Sequence, residues 1–193
     1  MTHNQLWVGA ALVLSCAVST GQIVFESEPN DTIANADFAG TFTQPGGSVA
    51  IDGTITAGDV DWFQINLNQA STLLLSAIGS ATVDADSQLM VVDGSGTDVL
   101  AFDDDSGPGL LSALQLFNLS AGTYFVGVSA FDDITFLDDA VNTDTLFDGL
   151  DNAGAPHDGA FEYKLAIAVN LVPTPGAAAV LGGAGLMLAR RRR

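Results

Sequence analysis

The amino-acid sequence predicts an all-β fold, an antiparallel and jelly-roll-like β-sandwich of about eight strands, with an N-terminal signal helix and a C-terminal hydrophobic helix. In the middle of the chain, bulky residues alternate with small or polar ones, which is the period of a strand and not of a helix. Nearly every gap between these segments combines glycine with Asp, Asn or Ser. The middle is about 150 residues long, the common size of a single domain.

The clearest predicted strand covers residues 161–170. Successive side chains of a strand point to opposite sides, so Tyr163, Leu165, Ile167 and Val169 are expected to share one face. Residues 93–96 and 120–122 have compositions typical of hairpin connections, while the pairing order is left open. Seven further strands are predicted at residues 49–56, 61–68, 72–78, 88–93, 99–103, 113–119 and 123–131.

An acidic insertion at residues 132–159 interrupts the series of short strands and short turns. It is far longer than a hairpin loop, and a helical turn is predicted within it at residues 144–150. Its carboxylates are those of a charged loop or of a loose cation site. The insertion contains eight aspartates: Asp132, Asp133, Asp138, Asp139, Asp144, Asp148, Asp151 and Asp158.

The first 21 residues are predicted to be a signal peptide. Residues 6–18 are apolar, and small residues follow at the positions that a signal peptidase reads, although the segment before them contains no Lys or Arg. The run from Val13 to Cys16 also resembles a lipobox, so acylation of Cys16 and a membrane-anchored lipoprotein form the alternative. The domain that follows is predicted to cover residues 22–171.

Residues 172–193 have three parts: a break, an apolar segment and a positive end. The break contains Val172, Pro173, Pro175 and Gly176, and residues 177–189 are apolar. As a helix, residues 176–189 would be about 21 Å long, shorter than the roughly 30 Å hydrocarbon core of a bilayer. The run closes with Arg190, Arg191, Arg192 and Arg193, which is expected to stay on the cytoplasmic side and leave the acidic domain outside.

The negative charge of the middle region excludes polyanionic partners. The sequence contains 5 Lys and Arg residues and 23 acidic residues, and four of the cations are the terminal arginines. Lys164 is therefore the single basic residue of the predicted domain. Such a surface repels nucleic-acid phosphate and anionic lipid and attracts cations, although a high negative charge also serves solubility alone.

The sequence does not predict an enzyme. A nucleophile needs a nearby base, and the predicted domain offers only His157 and Lys164 for that role. A glycosidase needs two carboxyls beside aromatic platforms, but the one tryptophan of the domain, Trp62, is expected to pack in the sandwich. Residues 103–105 begin like an EF-hand loop, but Leu114 occupies the position of the bidentate glutamate, so an acidic turn is expected there.

Three motifs resemble the bacterial pre-peptidase C-terminal (PPC) domain. Residues 26–36 read ESEPNDTIANA, similar to the family's opening E-x-E-P-N-D. Residues 53–55 (GTI) and 59–63 (DVDWF) resemble its G-x-I and D-x-D-[WYF]-[YF] hairpin, and residues 119–124 (LSAGTY) resemble its L-x-A-G-x-Y strand. The insertion at residues 132–159 departs from the family pattern. The resemblance implies a β-sandwich that binds or positions substrate for secreted peptidases.

The same resemblance implies a calcium site. Hard cations take six to eight oxygen ligands from carboxylates, amides and the backbone. In calcium-binding members of the family, the opening motif and the following D-x-D supply the ligands, and all of those positions are filled here. The alternative is a set of solvated acidic turns. The six predicted ligands are Glu26, Glu28, Asn30, Asp31, Asp59 and Asp61.

The C-terminal segment resembles the PEP-CTERM sorting signal of bacteria that use an exosortase. The match consists of Val172-Pro173-x-Pro175-Gly176, the apolar segment and the arginine run, with Thr174 in place of the usual glutamate. This resemblance implies recognition by an exosortase-type protease in the inner membrane, cleavage near the prolines, and release or attachment at the cell surface. A plain C-terminal membrane anchor is the alternative.

Together these features predict a non-enzymatic, exported protein of the cell surface or extracellular matrix, built on a calcium-stabilised β-sandwich that binds a polysaccharide or a surface protein. The alternative function is an accessory substrate-binding module for a separate secreted peptidase. A glycosidase ranks far behind both.

Overall fold

The computed structural model describes residues 21–43, 46–79, 85–131 and 158–171. The predicted signal helix, the helical turn at residues 144–150 and the C-terminal hydrophobic helix lie outside these ranges. Within them, no helix is long and apolar enough to cross a membrane. The described part contains one short 3-10 helix, Ile33–Asn35, and ten strands: β1 (Gln22–Phe25), β2 (Asp37–Phe42), β3 (Gly46–Ile55), β4 (Asp61–Leu67), β5 (Ser71–Gly79), β6 (Ser87–Asp93), β7 (Val99–Asp103), β8 (Ala113–Leu119), β9 (Gly122–Ala130) and β10 (Phe161–Leu171).

The strands form two five-stranded sheets, which confirms the all-β prediction. The first sheet has the order β1-β3-β10-β5-β8 and the second the order β2-β4-β9-β6-β7. The predicted antiparallel pairing holds among β3–β10, whereas β1 pairs with β3 and β2 pairs with β4 in parallel, so the sheets are mixed. Both parallel strands lie at sheet edges, where the N-terminal segment adds one strand to each sheet.

The two sheets pack face to face around one apolar core. Alternate residues of β10 are buried: Tyr163, Leu165, Ile167 and Val169 are all at most 3% exposed, as the alternation predicted. They pack with side chains of the facing sheet, of which Phe63 is a fully buried example. Burying a large apolar side chain contributes about 1.5–3 kcal/mol, so this shared core is the main stabilising feature.

Consecutive strands alternate between the two sheets almost throughout the described part of the chain. Of the strand pairs adjacent in sequence, only β6 and β7 are neighbours in one sheet. Residues 94–98 connect them, with Gly96 at φ 77° in the left-handed region, so the hairpin predicted from residues 93–96 is confirmed. Residues 120–122 instead connect β8 to β9 in the other sheet, and the prediction of a hairpin there was wrong. Turn composition specifies that the chain reverses and does not specify the partner strand.

The eight predicted strands correspond to β3–β10, and the sequence missed β1 and β2. The four residues of β1 lie mostly exposed at an edge, so they show no buried alternation. In β2 the pairing with β4 shifts register between Phe38 and Gly40, which interrupts the period of two.

A second apolar cluster covers the outer face of the second sheet. Trp62 is fully buried there and not between the sheets, since its strand neighbour Phe63 points into the inter-sheet core. Ile33 of the 3-10 helix and Val99 of β7 pack against this cluster. The segment after β1 is thereby held against the start of β4.

Candidate metal centre

The two acidic motifs of the sequence meet where the segment after β1 passes the start of β4. The backbone N–H of Glu26 donates to the carbonyl of Asp52 on β3 at 3.0 Å. Four residues later, the carbonyl of Asn30 accepts from the N–H of Trp62 at 3.1 Å. These two backbone contacts tie the opening motif to both sheets and place its side chains beside the Asp59–Asp61 turn.

The five predicted carboxylate ligands form two overlapping groups. One carboxylate oxygen each from Glu26, Glu28 and Asp61 lies within 4.8 Å of the others, and the same holds for Glu28, Asp31 and Asp59. Glu28 belongs to both groups, so the two groups form one centre. Asp61 is fully buried and Asp59 is 5% exposed.

Asn30, the sixth predicted ligand, lies beside Glu28 and Asp61. Its side chain is fully buried. One terminal atom of its amide lies 3.3 Å from Oε2 of Glu28 and 3.1 Å from Oδ1 of Asp61. As nitrogen, that atom donates to both carboxylates; as oxygen, it is one more ligand facing the same space.

Hydrogen bonds from the surrounding strands hold the carboxylates in place. The N–H of Thr54 donates to Oε2 of Glu26. Asp59 Oδ2 accepts from the N–H and the hydroxyl of Thr56 at 3.0 and 3.2 Å. The hydroxyl of Tyr163 donates to Oδ2 of Asp61 at 2.6 Å.

Tyr163 is the residue of this centre that the sequence missed. Its alternation on β10 correctly predicted burial, and that burial was sufficient reason for an aromatic residue there. The unused signal was the hydroxyl, because a buried tyrosine usually has a hydrogen-bond partner.

The centre disfavours charge on its own carboxylates. Burial, and then the neighbouring charges of Glu26, Asp59 and Glu28, raise the pKa of Asp61 to about 9 despite the hydrogen bond from Tyr163. Burial is also the first cause that raises the pKa of Glu26, Glu28 and Asp31. A bound divalent cation would supply the positive charge that these groups lack.

A groove of about 550 Å³ adjoins the centre and shares Glu26 and Tyr163 with it. Its floor is a cross-strand row on the outer side of the first sheet, in which Asp52 pairs with Phe25 and with Lys164, and Lys164 pairs with Ile78. Lys164 forms an ion pair with Asp52. The groove lining comprises Phe25, Glu26, Asp52, Gly53, Thr54, Ile78, Gly79, Glu162, Tyr163 and Lys164.

A second acidic cluster is formed by Asp86, Asp104 and Asp105, each with one carboxylate oxygen within 4.8 Å of the others. Burial, and then the charges of Asp105, Asp86 and Asp103, raise the pKa of Asp104 to about 6, although the nearby amide of Gln88 opposes the shift.

Residues 59–130 match the family model of the bacterial pre-peptidase C-terminal domain. The match includes Asp59, Asp61 and the motif at residues 119–124, and it begins after the opening motif at residues 26–36. The predicted resemblance to this family is therefore confirmed for residues 59–130. Residues 172–193, which resemble a PEP-CTERM signal, lie outside the described residues and outside the part of the chain that matches this family model.

Several solved structures are similar to this chain. The pre-peptidase C-terminal domain of Bacillus anthracis collagenase has 17% identity and a TM-score of 0.44, over 68% of this chain and 93% of that chain. The periplasmic g-type lysozyme inhibitor PliG of Aeromonas hydrophila has 13% identity and a TM-score of 0.43, over 78% and 100%. A carbohydrate-binding module of Cellvibrio mixtus lichenase 5A has 20% identity and a TM-score of 0.30, over 62% and 75%. A search of curated proteins found no match.

Proposed function

We propose that this protein is a non-enzymatic, exported binding module whose β-sandwich is stabilised by calcium at the centre formed by Glu26, Glu28, Asn30, Asp31, Asp59 and Asp61. The observation that carries the proposal is the convergence of these six side chains from two separate segments. Carboxylates repel one another, so a fold that collects five of them beside a buried amide is stabilised by a compensating positive charge.

The donor set fits calcium. All of the donors are oxygen atoms, which suits a hard cation, and their number approaches the six to eight ligands that calcium takes. Because Glu28 belongs to both carboxylate groups, it is placed to bridge two ions. Bound calcium would link the segment after β1 to residues 59–61 by coordinating side chains from both. The proposed role of the ion is therefore structural.

We propose the groove on the first sheet as the surface that binds a polysaccharide or a surface protein. Phe25 is 72% exposed, which is unusual for a large aromatic side chain and provides a face on which a ligand ring can stack. Beside it, Lys164 and Asp52 supply charged hydrogen-bonding groups. Since Glu26 belongs to both the groove and the metal centre, calcium would also order one wall of this groove.

Export and sorting complete the proposal. Residues 1–21 would direct export, and residues 172–193 would be recognised by an exosortase-type protease in the inner membrane before release or attachment at the cell surface. The intact mass of the mature protein and its cell fraction test this. Loss of both end segments supports the proposal, whereas a retained arginine run indicates a plain anchor, and an acylated Cys16 indicates a lipoprotein.

Calorimetric titration of the metal-stripped full chain with CaCl₂ tests the metal centre. At a calcium concentration 100-fold above Kd, stabilisation of about 2.7 kcal/mol is expected, which corresponds to a rise in Tm on the order of 5–10 °C. Glu28→Gln should weaken this response, since Glu28 belongs to both carboxylate groups. The matched control is Glu162→Gln on the exposed face of β10, which should respond like the wild type. Absence of calcium binding in the wild-type protein would refute the metal centre.

Glycan arrays and protein pull-downs with Phe25→Ala test the groove. Binding that depends on Phe25 supports the groove as the ligand surface. Specific capture of a secreted peptidase would instead favour the accessory role. Ligand binding that survives Phe25→Ala unchanged would place the binding surface elsewhere.

A further inference from the structure

The second acidic cluster lies where β6 begins and the neighbouring strand β7 ends. Asp86 directly precedes β6, while Asp104 and Asp105 directly follow β7. The backbone around Asp86 is fixed by two contacts, since its carbonyl accepts from the N–H of Phe131 at 3.0 Å and it bridges to Leu110. The three carboxylates therefore come from two chain segments whose positions the sheet determines.

This cluster is separate from the first centre. The strand order β4-β9-β6-β7 places two strands between Asp61 and Asp103, which occupy the same cross-strand row. Three strand spacings correspond to about 14 Å. No single ion can contact carboxylates that are so far apart, so the two clusters would bind cations independently.

A fully buried amide beside the carboxylates distinguishes the second cluster from an ordinary acidic turn. Gln88 is 0% exposed, and neither Nε2 nor Oε1 of its side chain has a partner with hydrogen-bond geometry, although the amide lies close enough to the carboxylate of Asp104 to interact with it. On β6, Leu89 pairs with Asp103 of β7, so Gln88 is level with Asp104 at the point where pairing ends. The uncharged Gln88 side chain thus lies next to the carboxylate of Asp104.

Unsatisfied polar atoms are concentrated at this one place. In residues 21–43, 46–79, 85–131 and 158–171, four buried side-chain polar atoms have no hydrogen-bond partner, and all four belong to Asp86, Gln88 and Asp104. Folded proteins satisfy nearly all such atoms, so a group of them marks a place where water or a ligand completes the bonding. An apolar residue would serve better at position 88 if packing were its only role.

The turn that carries two of the carboxylates is held in place. The hydroxyl of Ser112 donates to the carbonyl of Asp104 at 2.7 Å. Oδ2 of Asp103 accepts from the N–H groups of Ala113 and Ser106 at 2.8 and 3.0 Å. Asp103 is thus used to shape the turn, and Asp104 and Asp105 are left to face Asp86.

We propose that Asp86, Asp104, Asp105 and the side-chain oxygen of Gln88 form a second site for a hard divalent cation, with calcium as the expected ion. Three carboxylates and an amide oxygen form an all-oxygen donor set that water and backbone oxygens can complete. With Oε1 of Gln88 on the cation, the buried amide gains a partner, and the mutual repulsion of the carboxylates is offset. The acidic turn expected from the sequence is then the ligand loop of a second cation site.

Calorimetric titration of the metal-stripped full chain with CaCl₂, compared between variants, tests this site. Asp104→Asn/Asp105→Asn should bind fewer calcium ions than the wild type and keep the ions of the first centre. Asp98→Asn is the matched control, because it removes one negative charge near the other end of β7 and should leave the stoichiometry unchanged. Equal stoichiometry in the double variant and the wild type overturns the second site.

Gln88→Met tests the amide without changing the charge of the cluster. It should lower the affinity of the second site at least tenfold while raising the metal-free Tm, because it removes an unpaired buried amide. A merely structural glutamine would give the opposite, with lower metal-free Tm and unchanged affinity. The side-chain NH₂ signals of Gln88 in NMR spectra, assigned by their loss in Gln88→Met, should also shift on calcium addition. Signals that calcium does not move overturn the proposal.

The two metal sites fail in distinguishable ways. Where Glu28→Gln removes calcium binding and Asp104→Asn/Asp105→Asn does not, the first centre stands and the second site is refuted. Where the reverse is found, the second site stands and the proposed calcium-stabilised centre is refuted. Calcium binding that is weakened by each variant separately, with additive losses of stoichiometry, supports both sites.

Discussion

The hydroxyl of Tyr163 donates a 2.6 Å hydrogen bond to Oδ2 of Asp61, and this bond joins the two sheets of the sandwich across 102 positions of sequence. Both residues are buried, with Tyr163 on β10 of the first sheet and Asp61 at the start of β4 in the second. One carboxylate oxygen of Asp61 is thereby committed to Tyr163. The other faces Asn30 and the space between the carboxylates.

Replacing Tyr163 with phenylalanine should weaken both the fold and the metal centre. The change leaves Oδ2 of Asp61 buried without its donor, which costs about 1–3 kcal/mol in the free energy of unfolding. Loss of the group that orients the ligand should also lower calcium affinity by about tenfold. Chemical denaturation and calorimetric titration measure the two effects.

Tyr124→Phe is the matched control for this change. Its hydroxyl donates to the carbonyl of Ser120 at 2.9 Å, away from the metal centre. This variant should lose stability and keep the wild-type calcium affinity. Equal loss of affinity in both variants would show that the bond between Tyr163 and Asp61 has no specific role in metal binding.

The raised pKa of Asp61 predicts how stability depends on pH. The folded pKa is about 9 and the ordinary value is 3.8, so the unfolded chain releases this proton far more readily. The protonated carboxyl of Asp61 therefore contributes to the free energy of unfolding. This contribution is complete below pH 3.8 and is lost as pH rises through about 9. Metal-stripped protein should therefore unfold at lower denaturant concentration at pH 9 than at pH 5.

Calcium should reverse this trend, because the ion needs the deprotonated carboxylate and its binding releases protons. Affinity is expected to rise between pH 6 and pH 9. Asp61→Asn should flatten the pH dependence of metal-free stability. If the slope between pH 5 and pH 9 were the same in Asp61→Asn as in the wild type, other carboxyls would be responsible for it.

A glycine makes the close packing of this centre possible. A Cβ atom added to Gly53 would lie 2.5 Å from Oε2 of Glu26 and 2.5 Å from Cζ and Oη of Tyr163. Gly53→Ala should displace both groups, lower the free energy of unfolding by about 1–3 kcal/mol and weaken calcium binding. Denaturation and titration of the same sample measure this.

Gly122→Ala provides the control for that prediction. It also adds a methyl group to a strand, but its Cβ would lie 3.8 Å from Cε2 of Tyr124, which is ordinary contact. Stability close to that of the wild type is expected, with unchanged calcium affinity. Wild-type calcium binding in Gly53→Ala would contradict the packing described here.

The sequence predicted the proximity of the candidate ligands more completely than it predicted the pairing of the strands. Glu26 to Asp31 and Asp59 to Asp61 are short motifs that resemble those of the family, and this resemblance implied their proximity before any strand was paired. Pairing order depends on which edges meet in three dimensions, and the alternation in β10 or β4 carries no information about that.

The contacts that the sequence could not indicate are those between distant positions. Nothing near Tyr163 in the chain identifies Asp61 as its partner, and nothing near Gln88 identifies Asp104. The sequence signals of the second cluster are the carboxylates of residues 103–105 and a glutamine directly before the apolar residues 89–92 of β6. The meaning of that glutamine depends on burial, which the pairing of β6 with β7 determines.

The outer apolar cluster depends on another glycine, directly opposite Trp62 in the pairing of β4 with β9. A Cβ atom added to Gly127 would lie 2.8 Å from Cη2 and 2.8 Å from Cζ3 of the fully buried indole. Gly127→Ala should therefore push Trp62 away from the sheet and lower the free energy of unfolding by about 1–3 kcal/mol, as measured by denaturation. Trp62→Phe in the same background should recover part of this loss, because the smaller ring leaves room for the methyl group. An additive effect of the two substitutions would show instead that the indole and the added methyl group do not compete for the same space.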